Sequence, residues 1–165
     1  MQFSKWQRDL AIHAMDEAEA RTGRYYCIPP FRWNELRYDL LTRQDHEWEP
    51  LPDVALARVR FLQRLTTRRS NDLSGFYRIE LNDPTILAAA ARENLDSNLY
   101  PFFVYILTHE MVHLVRFGTI LESGAVALGS DESEEQRVNT ISRSILAGRT
   151  EFQPVLDKFC CSLRL

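Results

Sequence analysis

Cysteine is scarce in this chain and its count is odd: Cys27, Cys160 and Cys161 are the only three. Their number and spacing exclude a disulfide framework, and adjacent cysteines bridge only with strain, so reduced thiols and a cytoplasmic setting are expected. Glycine is also sparse, six in 165 residues, and none stands in a GxGxxG or GxxxxGK setting, which excludes the usual phosphate-cradling loops. Positive charge is in deficit. With 20 basic and 23 acidic residues the formal net charge is −3, so no nucleic-acid or anionic-membrane partner is expected. The opening residues Met1 to Leu10 carry charges where a signal peptide needs an apolar run. The most apolar stretch, Leu99 to Val115, holds His109, Glu110 and His113, which makes it a poor membrane span.

What is present is ordinary for a globular protein: 45 % hydrophobic and 26 % charged residues, in a chain long enough for one domain with a sizeable core. Phe3, Trp6, Leu10, His13 and Glu17 recur at helical spacing, which predicts an amphipathic helix over Phe3 to Glu19 with a stop at Gly23. Asn34 to Leu41 reads as a short helix and Gln44 to Asp53 as an acidic loop. Asp53 to Arg64 fits either period, and its Ala, Leu and Arg content favours helix. Arg68 to Gly75 reads as a polar turn, and Phe76 to Leu81 as a strand with Tyr77, Ile79 and Leu81 on one face. Asp83-Pro84 opens a helix that Asp96-Ser97-Asn98 breaks, and Pro101 opens another expected to stop at Gly118. Thr119 to Gly129 reads as a loop or short helix. Asp131 or Ser133 caps a last long helix with Val138, Ile141, Ile145 and Leu146 on one stripe. The pattern predicts an α+β fold, mostly helical, with a small sheet packed on the helix that Pro101 begins. The expected division is an N-terminal helical segment (1–70), a core (71–148) and a C-terminal tail (149–165) within a single domain (1–165).

His109-Glu110-Met111-Val112-His113 is an HExxH sequence inside that helix. Positions four apart stack on one helical face, so both imidazoles can reach one metal ion, Zn²⁺ by ligand type. Glu110 projects to one side of such an ion, where it can take a proton from water and act as general base. Ile106, Leu107, Thr108, Met111, Val112, Leu114 and Val115 around the motif are all uncharged. Burying two imidazoles and a carboxylate in the most apolar helix of the chain demands partners for each, and a shared metal supplies them. A third ligand must come from elsewhere, and Asp131, Glu132, Glu134 and Glu135 offer carboxylates near the start of the next helix. Glu134 and Glu135 both lie near its apolar stripe. Glu135 is preferred because Asn139, four residues on, can serve the free N–H of a ligand imidazole, whereas Val138 follows Glu134.

HExxH on one helix, then Glu135-Gln136-Arg137-Val138-Asn139 on a second, resembles the gluzincin zinc metallopeptidases over residues 76 to 146. In size and layout the chain is most similar to the small single-domain members, including those that cleave phage-type repressors. The resemblance implies a zincin-like core, His109, His113 and Glu135 as zinc ligands, Glu110 as general base, and a peptide or protein substrate. It also implies that the strand Phe76 to Leu81 holds an extended substrate by main-chain pairing. Tyr77, His46, Arg116 and Arg143 are candidates for stabilising the oxyanion of peptide hydrolysis. Each also has a plainer role: Tyr77 in sheet packing, His46 in a solvated loop, the arginines as partners of nearby carboxylates.

Other readings compete. Glu110-x-x-His113 matches half of a di-iron motif, but neither His13 nor His46 follows a Glu three residues earlier to supply the other half. Cys160 or Cys161 can be imagined as a thiolate cap on zinc, although Phe159, Leu163 and Leu165 make a packed terminal segment the simpler expectation. Arg58, Arg60, Arg64, Arg68 and Arg69 read as a solvated basic face or a surface for an acidic partner. The functional alternative to a peptidase is a catalytically inactive, metal-stabilised binding or regulatory domain. Oligomeric state is not legible.

Overall fold

A computed structural model describes residues 1–33, 36–62, 76–122 and 132–159. Helix α1 (Lys5–Tyr25) is followed by a single turn, α2 (Pro30–Trp33), and strands β1 (Arg37–Leu41), β2 (Ala57–Leu62) and β3 (Phe76–Leu81). Helices α3 (Asp83–Arg92), α4 (Leu99–Glu122), α5 (Glu132–Leu146) and α6 (Gln153–Lys158) complete the described chain. The fold is α+β. No helix among the described residues is long and apolar enough to cross a membrane.

The sheet has the order β1-β3-β2, with β1 parallel and β2 antiparallel to the central β3. Its two faces differ sharply. Tyr77, Ile79 and Leu81 of β3 are buried, and the registers Tyr38↔Tyr77, Leu40↔Ile79, Val59↔Ile79 and Phe61↔Tyr77 extend this apolar face across all three strands. On the other face Arg58 and Arg60 both bond the fully buried carboxylate of Glu80, at 2.5 and 2.8 Å, and Arg78 pairs with Asp39 and Glu47. Glu49 joins Arg60 at 2.7 Å, while the Trp48 indole N–H bonds the Leu81 carbonyl at 2.8 Å and ties the β1–β2 loop to the sheet.

Helix α4 is the hub. Phe102 to Met111, apart from the slightly exposed Glu110, is at most 1 % exposed, because α1, α5, α6 and β2 all pack against this helix. Phe159, just past α6, stacks on Phe102 at 4.9 Å and so packs on the core; the rest of the terminal segment expected to do so, 160–165 with Cys160 and Cys161, lies outside the described residues. Helix α1 begins with a capping box between Ser4 and Gln7. Asp83 is buried and binds the Phe3 and Arg43 amides at 2.9 and 3.1 Å, which pins the N-terminal segment beside α3. Asp83 therefore acts inside the helix start rather than as its cap, which is Asn82.

Several expectations are corrected. The segment 1–70 is not helical throughout: Asn34–Leu41 and Asp53–Arg64 were expected as helices, and their described residues contain β1 and β2. In β2 the alternation won over helix propensity, because Ala57, Val59 and Phe61 face the core while Arg58 and Arg60 find Glu80 across the sheet. That pairing also removes these two arginines from the supposed free basic face; Arg64, Arg68 and Arg69 lie outside the described residues, as does the 68–75 turn. The buried face of α1 is Ala11, Ala14, Met15, Ala18 and Thr22, whereas Trp6 is 62 % exposed and His13 is exposed. Gly23 and Gly118 are not stops. Each sits inside a helix where a Cβ would meet a neighbour, the Trp33 Nε1 at 2.6 Å and the Leu36 Cδ2 at 3.3 Å respectively. Helix α4 accordingly continues to Glu122, and 123–129 of the expected loop lie outside the described residues.

Candidate metal centre

The described part of α5 starts at Glu132 and crosses α4 in the opposite chain direction: Glu134 meets Arg116, and Glu135 meets His113 and His109. The stripe on α4 is made by positions 109, 113 and 116, spaced by four and three, which a 3.6-residue turn places on one face. Nε2 of His109 and Nε2 of His113 approach to 3.1 Å. The Glu135 carboxylate closes the triangle, Oε2 at 3.4 Å from His109 and Oε1 at 3.2 Å from His113. These three side chains are the group among the described residues whose donor atoms converge, within 4.8 Å of one another, as metal ligands must.

The donor set fits a tetrahedral ion. Ligands at 2.0–2.2 Å from zinc stand about 3.3 Å apart, close to the separations above. Two facing imidazole nitrogens at 3.1 Å have at most one proton between them to share, and an ion between both rings and the carboxylate would satisfy all three. His109 is fully buried and His113 is 7 % exposed, so neither can turn to water instead. Asn139 lies near enough to His109 to raise its basicity, and Nδ1 of both rings is buried without a hydrogen bond. Phe117 stacks on His113 at 5.5 Å and walls that side.

Burial and neighbours set the charges. Burial pushes His109 below the ordinary imidazole range. It works in the same direction on His113, but the hydrogen bond to Glu135 and the nearby Glu110 and Glu134 outweigh it and leave this ring more basic than usual. Burial raises Glu135, yet the two imidazoles more than offset it and bring the carboxyl down to about 2. Glu110 is the opposite case. Only 3 % exposed, it is pushed up to about 7, chiefly by burial, with Glu135 adding repulsion and His113 and the Val59 main chain acting against it. A carboxyl poised near neutrality beside two imidazoles can accept and return a proton.

The site residues expected from the sequence, His109, Glu110, His113 and Glu135, are thus brought together. Glu134 is not: Arg116 grips both its oxygens at 2.5 and 2.8 Å. Of the oxyanion candidates, Arg116 is adjacent to the site but serves Glu134. Tyr77 is buried on the inner sheet face against Phe61, His46 is exposed in the loop after β1, and Arg143 lies two turns beyond Glu135 along α5. Two contributors had no signal in the sequence. Val59 of β2 lies beside Glu110, and Tyr26, just past α1, places a buried hydroxyl near Arg116. Both depend on contacts between distant segments. The substrate-strand expectation for β3 is corrected, because β3 is central and both its edges are paired. Neither a protein-family model, nor a curated protein, nor a solved structure matches the chain, so the site is read from its own residues.

Proposed function

We propose that this protein is a zinc-dependent metallopeptidase of gluzincin-like design, with His109, His113 and Glu135 as metal ligands and Glu110 as general base. The observation that carries the reading is the triangle of His109 Nε2, His113 Nε2 and the Glu135 carboxylate, closed at 3.1 to 3.4 Å beside a buried fourth group, Glu110. Zinc held there would act as a Lewis acid toward a peptide carbonyl and toward water. Glu110, buried beside His113 and Glu135, takes the proton of the attacking water and returns one to the departing amine.

Strand β2 is the better candidate for aligning a peptide. Asn82 donates to the Leu56 carbonyl at 2.8 Å, which directs the even-numbered residues of β2 toward β3. The main-chain groups of Ala57, Val59 and Phe61 then point to the outer edge, where no strand pairs among the described residues. Val59, in the middle, is the residue that touches Glu110, so a strand added there passes alongside the proposed base.

Elemental analysis of protein purified without added metal, paired with peptide hydrolysis by wild type and Glu110→Gln, tests the proposal. The expected result is about one zinc per chain in both proteins and hydrolysis only in the wild type. Zinc in both with hydrolysis in neither supports a metal-stabilised binding domain instead. Less than about 0.2 zinc per chain, not recovered on adding zinc, overturns both readings.

A further inference from the structure

We infer that Arg116 and Glu134 are positioning residues of the metal centre: their two-point ion pair sequesters one of two adjacent carboxylates and presents Glu135 alone to His109 and His113. The inference rests on the metal reading above and deepens it.

Glu134 and Glu135 are neighbours in the first turns of α5, only about 100° apart around the helix axis. Both face α4. The buried face of α5, Val138, Ser142 and Leu146, sets its rotation coarsely, but two carboxylates so close in angle still need a device that decides which one reaches the imidazoles. Arg116 supplies it. Its Nε meets Glu134 Oε1 at 2.5 Å and its Nη2 meets Oε2 at 2.8 Å, which occupies both oxygens of the competing carboxylate. The side chains are only 20 % and 15 % exposed, so this pair is held in one geometry as a loose surface pair is not. Arg116 lies three residues past His113, on the stripe that presents the imidazoles, so arginine and ligands move as one rigid helix face. The Tyr26 hydroxyl, just past α1, is buried near Arg116 and Glu134 without a hydrogen bond of its own. The positive charge has a second effect. It offsets Glu134, which otherwise would add a third carboxylate to Glu110 and Glu135 around two imidazoles.

The test measures zinc affinity of the full chain by competition with a chromophoric chelator, in wild type, Arg116→Met, Arg116→Lys and Glu134→Gln, alongside the thermal midpoint of each metal-free protein. Loss of the positioning pair should weaken zinc binding by roughly 10- to 100-fold in Arg116→Met and Glu134→Gln. Arg116→Lys should recover only part, because an ammonium keeps the charge and loses the fork. A pair that merely joins two helices would lower the metal-free midpoint and leave zinc affinity within about twofold of wild type, which overturns the inference. If Arg116→Met does not fold, the near-isosteric Glu134→Gln and the charge-preserving Arg116→Lys decide by the same criterion. A wild type that binds no zinc removes the metal reading itself, an outcome distinct from variants that bind as well as wild type.

Discussion

Replacing Glu110 by Gln should stabilise the metal-free protein at alkaline pH while removing its proposed activity. The carboxyl is 3 % exposed, and its proton affinity rises from an unfolded reference of 4.5 to about 7. Folding therefore favours the protonated form. Below about pH 4.5 the group is neutral in both states and adds no penalty. Between 4.5 and about 7 the unfolded chain ionises first, and stability falls with each pH unit; above that the penalty is constant. At 1.36 kcal/mol per unit the full penalty is about 3 kcal/mol. Gln is neutral at every pH and fills nearly the same volume. Guanidinium unfolding in excess chelator should show wild type and Glu110→Gln parting between pH 5 and 7, with the variant about 3 kcal/mol more stable at pH 8.5. In a thermal scan this corresponds to an upward shift of roughly 6 to 12 °C for a chain of this size. Equal stability at pH 8.5 would show that Glu110 is not buried as described, and the case for a poised base would fall with it.

The remaining predictions address the metal and the packing. Adding zinc at about 100 times its dissociation constant should raise the stability of the metal-free protein by about 2.7 kcal/mol, and Glu135→Gln should abolish most of that gain; equal gains in both refute Glu135 as a ligand. Gly23→Ala should cost roughly 1 to 3 kcal/mol by denaturant unfolding, because the new Cβ would stand 2.6 Å from a rigid indole. Gly118→Ala should be near neutral: the flexible end of Leu36 need give only a few tenths of an ångström from 3.3 Å, and helix propensity returns about 1 kcal/mol. Similar costs for the two would disprove the close approach of Trp33. Glu80→Ala should cost about 1 to 3 kcal/mol, since Arg58 and Arg60 lose a shared buried carboxylate but remain partly exposed and Arg60 keeps Glu49, and a cost under about 0.5 kcal/mol would show the cluster to be idle.

How much of the fold could be read depended on how local its causes are. Strand β3 and helices α3, α4 and α5 each carry their own signal, an alternation, a proline-marked start or an apolar stripe, and each is found in place, although α4 runs past its expected stop at Gly118 to Glu122. Strands β1 and β2 are decided elsewhere. β1 pairs with β3 across 39 positions, Arg37 with Phe76, and the polar face of β2 is sustained by Glu80, 22 residues from Arg58. Neither partner is visible from the strand's own composition. In α1 the spacing of large residues pointed to the wrong face, because the side that meets α4 is lined with alanines. The glycines misled for the same reason. A residue chosen for its missing side chain reads as a helix stop until the neighbour occupying its space is known.

The candidate site divides along the same line. Two histidines four apart need only a helix to share a face, so His109, Glu110 and His113 were legible from one turn of sequence. Glu135 depends on a second helix, and the reason for preferring it to Glu134, an Asn139 serving a ligand imidazole N–H, is not met: Asn139 lies near His109, but the buried Nδ1 of neither ring makes a hydrogen bond. The more decisive residue is Arg116, read beforehand only as an oxyanion candidate or a partner for some carboxylate. Sequence could not say which carboxylate, because the answer depends on the rotation of α5 against α4, which the buried Val138, Ser142 and Leu146 share in setting with the Arg116–Glu134 pair. A ligand set taken from a motif names the groups able to bind. Which of two adjacent carboxylates is free to bind is settled by the partner that restrains the other.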